Sequence, residues 1–219
     1  MKRCFLPLLF IININLLAQI QEVDESYQKG KVENGERIGK WDYYDKKEEV
    51  ALTFDYDSLR ISYLEQDTSS SYLIFQEDDW KSLKLDRQLR YLGSYAHLYD
   101  FLAMNLSSTY SADAGKKDIN TIILLELEFN ENGKLIEKKI IGDHKEYFEE
   151  AILTIAESIP EYWIPAIYNG IPVKSKISFP IIYTRETKED KQPKIEDINY
   201  VGKSMLPIKI VGYGVRVRR

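Results

Sequence analysis

Residues able to carry out acid–base or metal chemistry are few and scattered in this sequence. It contains two histidines, His97 and His144, and a single cysteine, Cys4. A zinc site needs three or four nitrogen, sulfur or carboxylate ligands that converge on one point, and neither histidine has acids or cysteines at a spacing that would bring them together. The motifs of a serine-hydrolase elbow, a phosphate loop and a zinc protease are also missing. We therefore expect a protein that is not an enzyme and uses no metal or cofactor.

Three further groups of polar residues could bind ions, but their surroundings do not suit it. Asp42 with Asp45, and Asp55 with Asp57, lack the glycine and the terminal glutamate of a calcium loop. Gly115-Lys116-Lys117 lacks the upstream glycine and the hydroxyl residue that a phosphate site needs. We interpret the aspartates as polar residues of hairpins.

Composition and charge limit the remaining classes. The chain has 219 residues, 44% of them hydrophobic, and a formal net charge of −5. That length accommodates one domain of ordinary size and a smaller one. Binding to nucleic acid requires clustered positive charge, so we do not expect it of this mildly acidic chain.

The first eighteen residues have the pattern of a secretory signal peptide. Lys2 and Arg3 precede an apolar run over residues 5–17, and Ala18 marks a cleavage site. The run is shorter than the roughly 20 residues of a membrane-spanning helix, so an uncleaved anchor is the less favoured alternative. Cys4 lies within this segment, so the mature chain would form no disulfide.

Residues 120–160 show the patterns of a β-hairpin followed by a helix. Alternating apolar residues predict a strand from Thr121 to Phe129, a turn at residues 130–133 and a returning strand from Leu135 to Ile141. Apolar residues then recur at the spacing of one helix face, and Pro160 ends the pattern. They are Phe148, Ala151, Ile152, Ile155 and Ile159.

A third strand follows the Asn169-Gly170 turn. Its residues alternate, which predicts one buried face and one wet face. The buried face would consist of Val173, Ser175, Ile177, Phe179 and Ile181, and the wet face of Lys174, Lys176 and Ser178.

Residues 91–183 resemble the C-terminal domain of TonB energy-transducing proteins. The signature consists of Trp163, Pro165, Ala166, Gly170 and Pro180. Upstream, Tyr91-Leu-Gly-Ser94 is similar to the opening loop of that family, although Ser107-Ser-Thr-Tyr110 replaces its tyrosine–proline pair. The resemblance implies an α+β fold, namely a three-stranded antiparallel sheet with two helices on one face.

The resemblance also implies a function and a location. In the TonB family the strand after the second helix is an open edge that pairs with an N-terminal segment of an outer-membrane receptor in the periplasm, which is strand addition. The matching strand runs from residue 171 to 183, and Pro172 and Pro180 suit an edge because they lack N–H donors. The binding residues would be Val173, Lys174, Ser175, Lys176, Ile177, Ser178 and Phe179.

Two features of a working TonB are not found in the sequence. They are an uncleaved inner-membrane helix and a long proline-rich spacer. The resemblance therefore favours receptor binding over force transmission. The alternative is an adaptor of the cell envelope that dimerises through its sheet edges.

The region before this domain resembles one unit of a variant MORN-type repeat. Asn34-Gly35 favours a tight hairpin turn, and the nearby Trp41, Tyr43 and Tyr44 favour strands. A solenoid needs about three repeats, so one unit predicts a small β-meander whose aromatic residues fill a thin core or, alternatively, form a ligand face.

The tail returns to strand-like alternation after a charged linker. Ile210-Val-Gly-Tyr-Gly214 resembles the short segment that precedes the plug of TonB-dependent receptors. We hypothesise that the tail lies along the open edge of its own chain or a neighbour's and mimics the receptor peptide; a simple cap on the sheet is the alternative.

The predicted organisation is signal peptide (1–18), β-meander (19–75), connector (76–90), TonB C-terminal-like domain (91–184), and linker with strand-like tail (185–219).

Overall fold

A computed structural model describes residues 20–45, 49–66, 71–109, 119–185, 193–194 and 205–212. The predicted signal peptide with Cys4, the Gly115 tripeptide and residues 213–219 of the tail lie outside these ranges. Among the described residues, no helix is long and apolar enough to cross a membrane.

The described residues form thirteen strands and two α-helices. The helices are α1 (Tyr95–Leu106) and α2 (Glu149–Ala156), and a short 3-10 turn at Lys145–Tyr147 precedes α2. The strands are β1 (Ile20–Glu25), β2 (Gln28–Glu33), β3 (Glu36–Tyr44), β4 (Val50–Asp55), β5 (Arg60–Leu64), β6 (Tyr72–Gln76), β7 (Asp79–Leu83), β8 (Thr121–Phe129), β9 (Leu135–Ile141), β10 (Ala166–Tyr168), β11 (Ile171–Val173), β12 (Ser175–Thr184) and β13 (Ile208–Val211).

The first five strands form one antiparallel sheet in chain order. Asn34 and Gly35 join β2 to β3 with positive φ angles of 52° and 87°, as a tight hairpin turn requires. Gly30 is needed because a Cβ there would lie 2.3 Å from the Trp41 ring. Trp41 and Tyr43 are buried, so the aromatic residues do fill a core.

The second sheet corrects the predicted fold class. It has six strands, in the order β7-β6-β12-β8-β9 with β13 beside β12, and β10 and β11 form a third sheet of two strands. The protein is therefore mostly β, and the prediction of an α+β fold with a three-stranded sheet and two helices is wrong. The sheet gains the hairpin β6–β7 from residues 72–83, which the sequence did not predict, and the strand β13 from the tail.

The local patterns within residues 120–160 are confirmed. The hairpin β8–β9 has the predicted bounds, and α2 lies within the predicted helix but ends at Ala156, before Pro160. The main core includes residues of β8, β12 and both helices, among them Ile123, Ile152 and Phe179. Ile164, in the loop before β10, instead packs with Trp41, Tyr43 and Leu52, and so joins the first sheet to the second.

Candidate functional site

The strand predicted to bind a peptide is not an edge strand. On one side β12 pairs with β8 from Ser175 to Tyr183. On the other side its start pairs with β6, at Ser175 and Lys176, and its end pairs with β13 over Ile181–Thr184. The predicted open edge is therefore covered. Both covering strands come from outside residues 91–184, and a local pattern does not indicate which distant strand pairs with another.

The residues predicted to bind the peptide occupy three different settings. Val173 belongs to β11 and pairs with Ala166, whereas Lys174 uses its carbonyl oxygen to accept a hydrogen bond from the N–H of Phe75. Ser175 and Lys176 lie against β6. Ile177, Ser178 and Phe179 fall in the interval between β6 and β13, where the Ser178 carbonyl oxygen accepts a hydrogen bond from the N–H of Met205.

The face predicted to be wet holds a buried ion-pair network instead. Lys176 Nζ lies 3.0 Å from Glu126 Oε1 and 3.2 Å from Glu128 Oε2, and Lys174 Nζ lies 2.5 Å from Glu128 Oε1. Trp80 covers the network, with its ring centroid 4.2 Å from Lys176 Nζ. Ser178, on the same face, is fully buried. Both lysines therefore pair with carboxylates of β8 and are not available as unpaired charges for a ligand.

Burial and hydrogen bonding act in opposite directions on the charges of this network. Burial raises the pKa of Glu128, but hydrogen bonds from Lys174 and Lys176 outweigh it and leave that pKa below its ordinary value. For Lys176, burial lowers the pKa, and hydrogen bonds to Glu126 and Glu128 raise it above its ordinary value. Glu128 and Lys176 are therefore both charged near neutral pH.

Residues 208–212 of the tail lie along β12 of their own chain, a position that fits both the hypothesised receptor mimic and a simple cap on the sheet. β13 runs parallel to β12, and the N–H of Gly212 donates to the carbonyl oxygen of Thr184 at 2.9 Å. Ile208 and Ile210 are buried, and the Tyr99 hydroxyl on α1 donates to the carbonyl oxygen of Leu206 at 2.6 Å. The strand is thus held by backbone pairing, apolar burial and a helix.

The residues of the TonB-like signature have structural positions. Trp163 is buried against Phe129, with ring centroids 4.8 Å apart, and donates from Nε1 to the Pro160 carbonyl oxygen. Ala166 and Pro180 are buried as well. Pro165 accepts a hydrogen bond from Arg87 at its carbonyl oxygen, and Gly170 has a φ of 73° in the turn between β10 and β11.

The histidines and the paired aspartates lie in separate structural settings. His97 stacks on Tyr27 with ring centroids 5.6 Å apart, and His144 precedes the 3-10 turn in a left-handed conformation with a φ of 60°. Asp55 accepts hydrogen bonds from the backbone of the β4–β5 turn, and Asp42 accepts one from the Thr53 hydroxyl. Among the described residues, no three His, Cys, Asp or Glu side chains converge as metal ligands.

One buried charge was not found from the sequence. Arg90 is 5% exposed, and its guanidinium carbon lies 4.1 Å from the Tyr95 ring centroid. Burial lowers the pKa of Arg90, and Tyr95 partly offsets this. Nothing in the sequence distinguishes Arg90 from the other charges of the predicted connector, because its burial results from backbone pairing with the distant Ile164.

No protein-family model, curated protein or solved structure matches this chain. The TonB and MORN resemblances therefore stay predictions.

Proposed function

We propose that this chain is a periplasmic binding module that takes up an extended peptide as an added strand on β12, in the place that β13 occupies. The proposed peptide is the N-terminal segment of a TonB-dependent outer-membrane receptor. One observation carries the proposal: a segment from the end of the chain lies in register on Ile181–Thr184 as a parallel strand. An edge that accepts one extended segment through backbone hydrogen bonds can accept another of similar shape.

The side chains of β13 indicate what a competing peptide must offer. Ile208 and Ile210 are buried, whereas Lys209 between them is exposed. A ligand strand would therefore need apolar residues two positions apart, with a tolerant position between them. The likeness of Ile210-Val-Gly-Tyr-Gly214 to a receptor segment supports an exchange of the tail for the receptor peptide.

The tail should weaken binding of any added peptide. When the edge is open in only a fraction of the molecules, the apparent affinity equals the intrinsic affinity multiplied by that fraction. A minor state a few kcal/mol above the main one has a population of roughly 0.1–10%, so an open fraction of about 1–10% would weaken peptide binding about 10- to 100-fold.

Titration calorimetry with receptor N-terminal peptides tests the proposal. The N–H of Gly212 faces β12, and strand residues alternate, so the N–H of Ile210 faces β12 and that of Lys209 faces away. Proline removes the N–H donor. We expect Ile210→Pro, and a chain that ends at Thr184, to bind about 10- to 100-fold more tightly than the full chain. The matched variant Lys209→Pro should bind like the full chain.

The outcomes separate the two functions under consideration. Folded variants that bind none of the receptor peptides would remove the receptor from the proposal. A dimerising envelope adaptor would then be the better description, and sedimentation should show a dimer. Equal affinities for the full and shortened chains would contradict the covering role of β13.

A further inference from the structure

A cavity of 320 Å³ lies beside the interval of β12 that neither β6 nor β13 covers. Ile177 of β12 and Met205, just before β13, form part of its wall. The remaining lining is polar or aromatic and comes from Glu65, Gln66, Tyr72, Gln88, Arg90 and Tyr95.

Arg90 is the positively charged residue of this cavity, and two of its guanidinium nitrogens have no hydrogen-bond partner. The side chain is 5% exposed, and its Nε and Nη2 atoms are buried without a hydrogen-bond partner. Within the described residues, Arg90 takes part in none of the ion pairs. An arginine does not lose its proton in a protein, so a full charge is buried here.

Such an arrangement is costly unless something compensates for it. A buried charge without a partner costs several kcal/mol, because hydration is lost and no hydrogen bond replaces it. The Tyr95 ring, 4.1 Å from the guanidinium carbon, compensates in part. A side-chain hydrogen bond between Arg90 and Tyr95 adds to this, but neither contact gives Nε or Nη2 a partner.

We propose that this cavity binds a carboxylate group, held by Nε and Nη2 of Arg90, which a small shift of neighbouring side chains has to uncover because both atoms are buried. These two nitrogens form one edge of the guanidinium fork, and the two oxygens of a carboxylate match that edge with parallel hydrogen bonds. A single positive charge suits a monoanion. Phosphate is disfavoured because Glu65 also lines the cavity and would repel a second negative charge.

Part of the wall of the cavity is held in place by hydrogen bonds. The backbone N–H and carbonyl oxygen of Arg90 both pair with Ile164, at 3.0 and 2.8 Å. Gln88 accepts a hydrogen bond from the Tyr72 hydroxyl and donates one to the Glu65 carbonyl oxygen. The arginine therefore has a fixed backbone position, and only side chains need to move when a ligand enters.

Acetate is the probe that tests this proposal on the full chain. Saturation-transfer NMR should show transfer from the protein to the acetate methyl group, and chloride at equal ionic strength should not displace the acetate. Arg90→Met should weaken acetate binding at least about tenfold, because a hydrogen-bonded charge pair is lost. Arg90→Lys, which keeps the charge but not the fork, should also weaken binding.

A matched control and a stability measurement separate ligand binding from a structural role. Arg87 is another partly buried arginine, and its Nε already donates to the Pro165 carbonyl oxygen, so Arg87→Met should leave acetate binding unchanged. Without acetate, Arg90→Met should unfold at the same urea concentration as the wild type or at a higher one, since an unpaired buried charge is removed. If Arg90 only stabilised the fold, Arg90→Met would unfold at a lower urea concentration than the wild type.

Several results would overturn the proposal. The first is equal saturation transfer in the wild type and in folded Arg90→Met or Arg90→Lys; the second is no transfer in the wild type. Acetate binding that occurs only in Glu65→Gln would show that Glu65 itself is the partner of Arg90. Displacement of acetate by phosphate at a lower concentration would contradict the carboxylate class.

The carboxylate has two possible sources, which a second experiment distinguishes. It could belong to a free small molecule or to an acidic residue of a peptide on β12, and the latter rests on the proposed function. If the source is a peptide, replacing its acidic residue by the amide should weaken binding of that peptide to the wild type about tenfold. The same replacement should leave binding to Arg90→Met unchanged. The acetate result does not depend on peptide binding, so either proposal can fail alone.

Discussion

At the scale of single residues, the carboxylate of Glu128 contributes most directly to the cohesion of the central sheet. It lies between Lys174 and Lys176, at 2.5 and 3.2 Å, and its side chain is 9% exposed. β8 and β12 are neighbours over nine residue pairs, and Glu128 lies directly opposite Lys176. Removing one member of a buried ion pair destabilises the fold, because it leaves the other charges buried and unpaired.

Glu128→Gln should lower the free energy of unfolding by about 1–3 kcal/mol near neutral pH, because a buried charged hydrogen-bond partner is lost. The folded-state pKa of Glu128 is below the ordinary 4.5, so its contribution is full above that value and disappears as the pH falls through the folded-state pKa. Urea unfolding from pH 7 to acid should therefore show a difference that shrinks with the pH. The exposed Glu131→Gln serves as the control. A difference that is constant with pH would contradict an electrostatic origin.

These ion pairs could be inferred from the sequence only in part. Glu126 and Glu128 have the same two-residue spacing as Lys174 and Lys176, which is a signal for cross-strand pairing between β8 and β12. The alternation alone placed the lysines on a wet face. It could not indicate that Trp80 would cover that face, because Trp80 belongs to the predicted connector.

At the scale of elements, β6–β7 is the hairpin that local patterns did not predict. Glu77 and Asp78 form its two-residue turn with φ angles of 52° and 64°. Such turns are usually made by Asn-Gly, as at residues 34 and 35. Glu-Asp gives no turn signal, whereas the predicted hairpin β8–β9 and helix α2 follow strong local patterns.

The same turn leads to a prediction about stability. Replacing Glu77-Asp78 by Asn-Gly should raise the free energy of unfolding by about 1–2 kcal/mol, because non-glycine residues resist positive φ. The exposed ion pair between Glu77 and Lys81 would be lost, but such pairs contribute little to stability because water screens them. Urea unfolding measures the change, and Glu77→Gln controls for the ion pair. A midpoint no higher than that of Glu77→Gln would show that the turn is not strained.

At the scale of the whole molecule, the chain forms two contacting sheets, and its tail adds a strand to the second one. Ile164 reaches into the core of the first sheet, and the Ser94 hydroxyl donates to the Tyr44 carbonyl oxygen at 2.6 Å. β13 is held by four residue pairs with β12, by the buried Ile208 and Ile210 and by the bond from Tyr99. The strand is short and pairs with β12 only, so we expect β13 to open before the sheets unfold.

Tyr99→Phe should weaken the tail selectively. The lost hydrogen bond to the Leu206 carbonyl oxygen is worth about 0.5–1.5 kcal/mol, which raises the population with β13 released about 2- to 12-fold. Hydrogen exchange should accelerate by that factor at the amides of Ile208 and Ile210, and exchange in β1–β5 should stay unchanged. If the edge is the binding site, receptor peptides should bind more tightly by a similar factor. Tyr63→Phe, on the exposed surface of β5, provides the control. Faster exchange throughout both sheets would instead mean that β13 and the core unfold as one unit, and the tail could not then act as a separate cover for β12.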